Sequence, residues 1–459
     1  MRAWEIEKSS GSCQIPIQFT EDNEALWVEQ GTASAKYLDE SVRRYWGSRV
    51  PGSLFRDTMA VAAIQATENR GRVVKDSDKL LLAGFRAITE QDTVELHRAT
   101  HRLFEACRDA EIDPASDYWS CRLYDTFEEY AEAAALPAPA AVDLGDDLED
   151  RIFAGWLCQI IGGAYGTCME GYITDNIMKA YRDLRRYVRE PNTYNDDITY
   201  ELALLCAYEK NGKETGGKDI AYEWLARLDF GWSAEDMALR NLRCGIMPPE
   251  SGRFNNPWGE WIGAQIRADF YGYINPGDPK AAAEMAFRDA CVSHTKNGIY
   301  GAMFVAAMIA AAAAVSSPEK VIEYGLAEIP STSRLYAGVK HILSLFCSGA
   351  SREETVADIH SRWNDELPYH WCHVIPNAEI VTAALLYGKR DLAQTVCTAV
   401  QCGFDTDCNG ATAGSVAGMI CGAGRIPPEW KEPVGGVLTT DIFGIGSITV
   451  QEIVRRAES

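Results

Sequence analysis

The chain has no C-x-x-C pair, although it holds 14 cysteines in 459 residues. That spacing argues against a zinc ribbon or a thioredoxin-type redox motif. Cys206, Cys347 and Cys397 fall inside helical patterns, so reduced, buried, cytoplasmic thiols are expected. Positive charge is also scarce: 44 Lys and Arg stand against 66 Asp and Glu, a formal net charge of -22. Such a chain repels nucleic acid and anionic membranes. An anionic substrate then needs local compensation from basic side chains, helix N-termini or cations. No long apolar run is present. The most apolar stretch, Ile299 to Val315, is Ala-rich and at the lower limit for a membrane span, so a buried core helix is expected. The start, Met1-Arg2-Ala3-Trp4-Glu5, has no basic segment followed by an apolar one, and no signal peptide is expected. Alternating strand patterns are few, and there is no internal repeat of fixed period.

What is present is an ordinary globular composition, 47% hydrophobic and 24% charged. Leu136-Pro137-Ala138-Pro139-Ala140-Ala141-Val142-Asp143-Leu144-Gly145 breaks helix periodicity and reads as a linker. It predicts two parts, 1–145 and 146–459. The first is mixed but mainly helical, with a short strand within 10–20 and helices from Asp76 to Ala135. His97 and His101 are four apart, as a metal pair would be, but two ligands do not complete a site. The second part is all-α. Apolar residues recur at helical spacing in Ile198–Ala207, Ala281–Val292, Val321–Ala327, Leu335–Leu345 and Ile380–Leu386.

Three constellations carry chemistry. Tyr194-Asn195-Asp196-Asp197-Ile198-Thr199 opens a predicted helix that ends near Gly212. Asn and Asp are good helix caps, so the cluster fits a cap and a metal ligand set alike. Gly403-Phe404-Asp405-Thr406-Asp407-Cys408-Asn409-Gly410 holds a D-x-D pair that can reach one hard cation or bridge two. Behind it Gly410, Gly414, Gly418 and Gly422 recur every fourth residue. Glycines in a helix cost about 1 kcal/mol each relative to Ala, so a close neighbour is required. The helix carrying Asp196 and Asp197 is one candidate. The third constellation is a small-residue helix from Arg151-Ile152 through Gly162-Gly163-Ala164, followed by Glu170.

In this order the three resemble the ADP-ribosylglycohydrolase family. Its Arg-Ile-x-Gly helix, Gly-Asp-Ala-x-Gly segment and Glu match the third constellation, with Glu170 on the glutamate. Its Thr-Asp-Asp falls on Asn195, Asp196 and Asp197. Its Asp-x-Asp-Thr falls on Asp405, Asp407 and Cys408. Ser293-His294, in a helical region, resembles the family's Thr-His. Asn255-Asn256-Pro257-Trp258-Gly259 sits where the family carries a substrate loop. The likeness covers residues 151–430.

The resemblance implies an ADP-ribosylglycohydrolase-like orthogonal helical bundle. It also implies a metal-dependent hydrolase that cleaves an N- or O-glycosidic bond to the ribose of ADP-ribose, on a protein or a small molecule. One or two Mg2+ ions, or Mn2+, would be held by Asn195, Asp196, Asp197, Asp405, Asp407 and Cys408. Glu170, Asp196 and Asp407 would be catalytic. Asn255, Asn256, Gly259, His294 and Gly403 would meet substrate. The pattern departs at three points: Asn195 and Cys408 replace threonines, and Gly163 replaces an Asp. An amide oxygen can still bind a hard cation, whereas a thiol is a poor magnesium ligand. Another ribosyl or nucleoside substrate, or a binding protein that keeps the fold, stays open on these grounds.

Overall fold

The computed structural model describes residues 5, 8, 13, 15, 20–121, 124, 126–132, 144–182 and 184–457. The linker core at 136–143 and most of the strand expected within 10–20 lie outside the described residues.

The helices that frame the site are α1 (Glu21–Gly47), α2 (Met59–Asn69), α3 (Ser77–Glu90), α4 (Thr93–Arg108), α5 (Leu148–Gly166), α6 (Asp196–Asn211), α7 (Ser233–Arg243), α8 (Pro279–Ala290), α9 (Asn297–Ala312), α10 (Val374–Tyr387), α11 (Leu392–Gln401) and α12 (Thr406–Cys421). The only strands among the described residues form three two-stranded antiparallel ribbons. β1 (Ser48–Arg49) pairs with β2 (Arg56–Asp57), Ser48 opposite Asp57. β3 (Arg72–Val73) pairs with β4 (Glu111–Ile112), and β5 (Val437–Thr439) with β6 (Ser447–Thr449). The chain is all-α in class.

The five helices expected from periodicity are all present; each begins before the predicted residue, and the one expected over Ala281–Val292 ends early, at Ala290. Local chemistry sets those ends. Asp278 caps α8 through the Ala281 N–H, with Pro279 at the first helical position. Gly212 closes α6 with φ of 56°. Most of the Ile299–Val315 stretch lies in α9, which ends at Ala312, and every residue of that helix is buried. No helix among the described residues is long and apolar enough to cross a membrane. α9 packs on α8, α10 and α12 at the centre of the main core. None of the 14 cysteines is in a disulfide, and Cys206 and Cys397 are buried as expected. Cys347 is exposed, because it ends its helix at the surface.

The glycine ridge of α12 faces α5, not the helix of Asp196 and Asp197. A Cβ on Gly410, Gly414 or Gly418 would lie 2.6, 2.3 or 2.4 Å from the carbonyl oxygen of Gly162, Cys158 or Ala154. Gly422 is not part of the ridge; it ends α12 with φ of 77°. The two small-residue helices thus touch backbone to backbone. This sets the start of α12 beside the end of α5, and Thr406 donates a hydrogen bond to the Gly166 carbonyl at 2.8 Å.

A second hydrophobic cluster joins the two parts of the chain. Trp46, Ala63, Leu96 and Phe104 pack there with Trp258, Trp261 and Tyr369. Tyr45 stacks on Trp258 with ring centroids 6.0 Å apart.

Candidate active site

The two acidic clusters lie at helix starts, and the fold brings them together. Asn195 precedes α6, and its side-chain oxygen accepts from the Asp197 N–H at 2.7 Å. Its amide nitrogen donates to Asp407 Oδ2 at 3.1 Å. Asp405 precedes α12 but makes no side-chain cap. Gly403 and Phe404, with φ of 72° and 61°, turn the chain sharply out of α11 and aim Asp405 inward. Asn377 of α10 holds that turn: its oxygen accepts from the Asp405 N–H at 3.2 Å and from Asn409 at 2.7 Å.

Two ligand sets result. One ligand atom each from Asp196, Asp197, Asp407 and Cys408 lie within 4.8 Å of one another, and so do those of Glu170, Asp405 and Asp407. Both oxygens of Asp197 and Oδ1 of Asp405 and of Asp407 are buried without a hydrogen-bond partner. Orphaned buried carboxylate oxygens are costly unless a cation meets them. The oxygen-rich set suits a hard divalent ion.

The electrostatics point the same way. Burial raises Asp196 to about 7, and the Asp407 charge adds to the effect. Burial and neighbouring carboxylates push Asp197, Asp405 and Glu170 well above the usual carboxyl range. Burial also raises Asp407, although Asp405, backbone N–H groups and Asn195 pull it back. The Cys408 thiol is pushed up by burial and by four aspartates, so it stays protonated and is a weak ligand.

These residues open on a cavity of about 360 Å³. Glu170, half-buried, Asn195, Asp196, Asp405, Asp407 and Cys408 line it. So do several residues that carried no motif. Cys372 donates from Sγ to Asp405 Oδ2 at 3.3 Å. Glu235 is held by Arg267 at 2.8 Å. Asp57 comes from the β1–β2 ribbon. Aromatic walls come from Tyr194, Tyr200, Phe230, Trp232, Trp261 and Trp371. An Asn buried in the mostly apolar α10, which also carries Glu379 and Thr382, was the sequence signal for Asn377.

Five residues expected to meet substrate are not among those that line this cavity. Asn255 and Asn256 line a separate cavity. Gly259 is packed against Thr295. Gly403 serves the turn described above. His294 is buried, with Nδ1 2.7 Å from Ser293 Oγ, and burial and Arg267 hold it well below the usual histidine range. It also lies outside a helix, because α8 stops at Ala290. Arg267 fixes the turn that follows by binding Asp289 and Ser293 at 2.8 and 2.9 Å. His97 faces Asp39 at 3.6 Å, and no histidine belongs to a metal-ligand group among the described residues.

The model of the ADP-ribosylglycohydrolase family matches residues 144–457. The chain belongs to that family. A solved chain named "ADP-ribosylglycohydrolase-related protein complex" is 20% identical, with a TM-score of 0.47; the match covers 68% of this chain and 97% of that one. No curated protein sequence matches. In this family member, residues 1–143 lie outside the matched region, yet Asp57 reaches the cavity.

Proposed function

We propose that this family member is a hydrolase of the bond between ADP-ribose and a protein or small-molecule group, working with one or two Mg2+ or Mn2+ ions. The observation that carries the reading is the set of partnerless buried oxygens on Asp197, Asp405 and Asp407. Asp196, Asp197 and Asp407 would hold one ion and Glu170, Asp405 and Asp407 a second. Cys408 and Asn195 contribute less, since the thiol is protonated and the amide oxygen already caps α6. A divalent ion there would supply Lewis acidity and fixed positive charge for the sugar hydroxyls and a water.

The chain's own residues do the rest. Glu170 sits at the cavity wall beside Asp405 and Asp407, where as an ion-binding carboxylate it can orient a water toward the sugar. Asp196 and Asp407 face the same space and stabilise positive charge as it grows on the ribose ring. The aromatic walls exclude water from one side of the cavity. The compartment read from the sequence, the cytoplasm, suits the free thiols.

The test is release of ADP-ribose from ADP-ribosyl-arginine, ADP-ribosyl-serine and small ribosyl compounds, with and without Mg2+ or Mn2+. Turnover that needs the metal and is lost in Asp407→Asn supports the reading. Metal binding with no turnover of any substrate favours a binding protein that keeps the fold.

A further inference from the structure

The chain carries 22 more acidic than basic residues, yet one cavity has the opposite character. It has a volume of about 180 Å³ and is lined by Arg70, Arg72, Arg108, Arg253 and Lys296, with no Asp or Glu in its wall among the described residues. The active-site cavity, by contrast, has eight carboxylates and one arginine among the described residues of its wall. A cluster of like charges is unfavourable unless an ion of opposite sign meets it.

The cations are not all spent on neighbours. Arg108 is held by Asp109 at 2.8 Å, and Arg253 lies 3.6 Å from Glu250. Arg72 donates to the Ala110 carbonyl at 2.7 Å. The Arg70 side chain makes no hydrogen bond or ion pair among the described residues, and its Nε is buried without a partner. An orphaned guanidinium donor inside a cavity asks for an acceptor. Lys296 stands over the Tyr118 and Trp119 rings at 5.3 and 5.8 Å, and Tyr118 is itself anchored on Glu260. Its backbone has φ of 50°, and that of Asn255 has φ of 49°. Two non-glycine residues in that region beside one cavity are a pattern of ligand sites. Asn256 adds a buried side-chain oxygen without a partner, an acceptor for a hydroxyl on the ligand.

We infer that this cavity binds a phosphate-bearing small molecule through Arg70, Arg72 and Lys296. Guanidinium groups match phosphate oxygens in pairs, and the volume suits a phosphate or diphosphate group with the remainder of the molecule outside. Arg70, Arg72 and Arg108 come from the part before the family match, and Arg253 and Lys296 from within it. The bound anion therefore bridges the two parts. The inference does not depend on the hydrolase reading.

The test is calorimetric titration of the full chain, freed of divalent metal by chelation, with inorganic phosphate, pyrophosphate, ADP and adenosine. Binding of at least one phosphate probe, none of adenosine, and weakening in high salt are expected. ADP binding tighter than pyrophosphate identifies a nucleotide as the source; equal binding identifies the phosphate group alone. Arg70→Gln should weaken binding at least tenfold. Lys296→Met should weaken it too, and carries the test if Arg70→Gln melts early. Asp407→Asn should leave it unchanged. No binding by the wild type, equal binding by both cavity variants, or loss of binding in Asp407→Asn would each overturn the inference.

Discussion

Gly162 and Gly410 meet through their backbones: a Cβ on Gly162 would lie 1.9 Å from the Gly410 carbonyl oxygen. That approach holds Asp407, one turn earlier on α12, against the Glu170 side of the cavity. Gly162→Ala is therefore expected to push the helices apart and cost about 2–3 kcal/mol, since overpacking a backbone contact has no flexible side chain to yield. Metal affinity should fall with it. Gly424→Ala is the control, because nothing lies within 4 Å of its added Cβ. Chemical denaturation of the two variants, followed by Mn2+ titration, checks both statements.

Asp197 lies behind the cavity wall, with both oxygens buried and unpartnered. Asp197→Asn keeps the shape and removes the charge. Loss of an outer-shell partner costs a metal site about 10- to 100-fold, so loss of this ligand should cost about 100-fold or more in Mg2+ or Mn2+ affinity. Unchanged affinity would remove Asp197 from the ligand set. Cys408→Thr should act the other way. It places an oxygen where a protonated thiol stands, so Mg2+ affinity should rise and any preference for a softer ion such as Cd2+ should fall.

Proton and metal compete for the same oxygens. Burial and the Asp407 charge push the Asp196 carboxyl up to about 7, and its neighbours are raised as well. Metal binding should then strengthen as pH rises from about 6 to 8 and release protons within that range. The stability sign follows. With carboxyl pKa values raised on folding, the native state binds more protons than the unfolded state between the unfolded values and about 7. Stability from this site is therefore greatest at low pH and falls as pH rises through that window. In metal-free chain, the melting temperature of wild type relative to Asp197→Asn should drop between pH 5 and 8. Saturating Mg2+ should reverse the trend. Thermal melts at several pH values with and without metal measure it.

The start of α6 was legible because capping chemistry is local, and Asn195 caps it; Asp405 stands where α12 begins without capping it. The all-α class was legible from apolar spacing. The partner of the glycine ridge was not, because glycine says that something comes close without saying what. α5 is that partner, and its own Gly162 and Gly166 complete the contact. The end of α8 before His294 was hidden because the periodicity runs on, and distant residues, Arg267, Ser251 and Asn256, turn the chain there. Gly163 and Asn195, two of the three departures from the family pattern, face each other: a Cβ on Gly163 would lie 3.2 Å from the Asn195 amide nitrogen. The amide occupies space that a larger residue at 163 would enter, so the two changes fit as a pair. Cys372, Glu235 and Asp57 reach the site from remote segments without a spacing that could announce them.

Asp57 carries the last prediction. The β1–β2 ribbon docks on the segment that bears Glu170. Tyr172 donates to the Ser53 carbonyl at 3.2 Å, and Phe55 meets Tyr172 and Trp371 edge-on at 5.7 and 5.9 Å. A Cβ on Gly52 would lie 2.1 Å from Thr167 Cγ2, so the ribbon sits as close as a backbone can. Asp57 ends the ribbon in the cavity wall, 4% exposed, with Oδ1 unpartnered, and burial raises its carboxyl to about 7. It can accept from a donor on the departing group. A hydrogen bond to a charged group contributes about 1.5–3 kcal/mol, so Asp57→Asn should raise KM about 10- to 100-fold for a leaving group with a cationic nitrogen. For a neutral hydroxyl leaving group the change should be smaller. Metal affinity should not move, because Asp57 belongs to neither ligand set. Steady-state kinetics on ADP-ribosyl-arginine against ADP-ribosyl-serine, alongside Mn2+ titration, separate these outcomes. Equal loss on both substrates would assign Asp57 to the packing of the ribbon rather than to recognition.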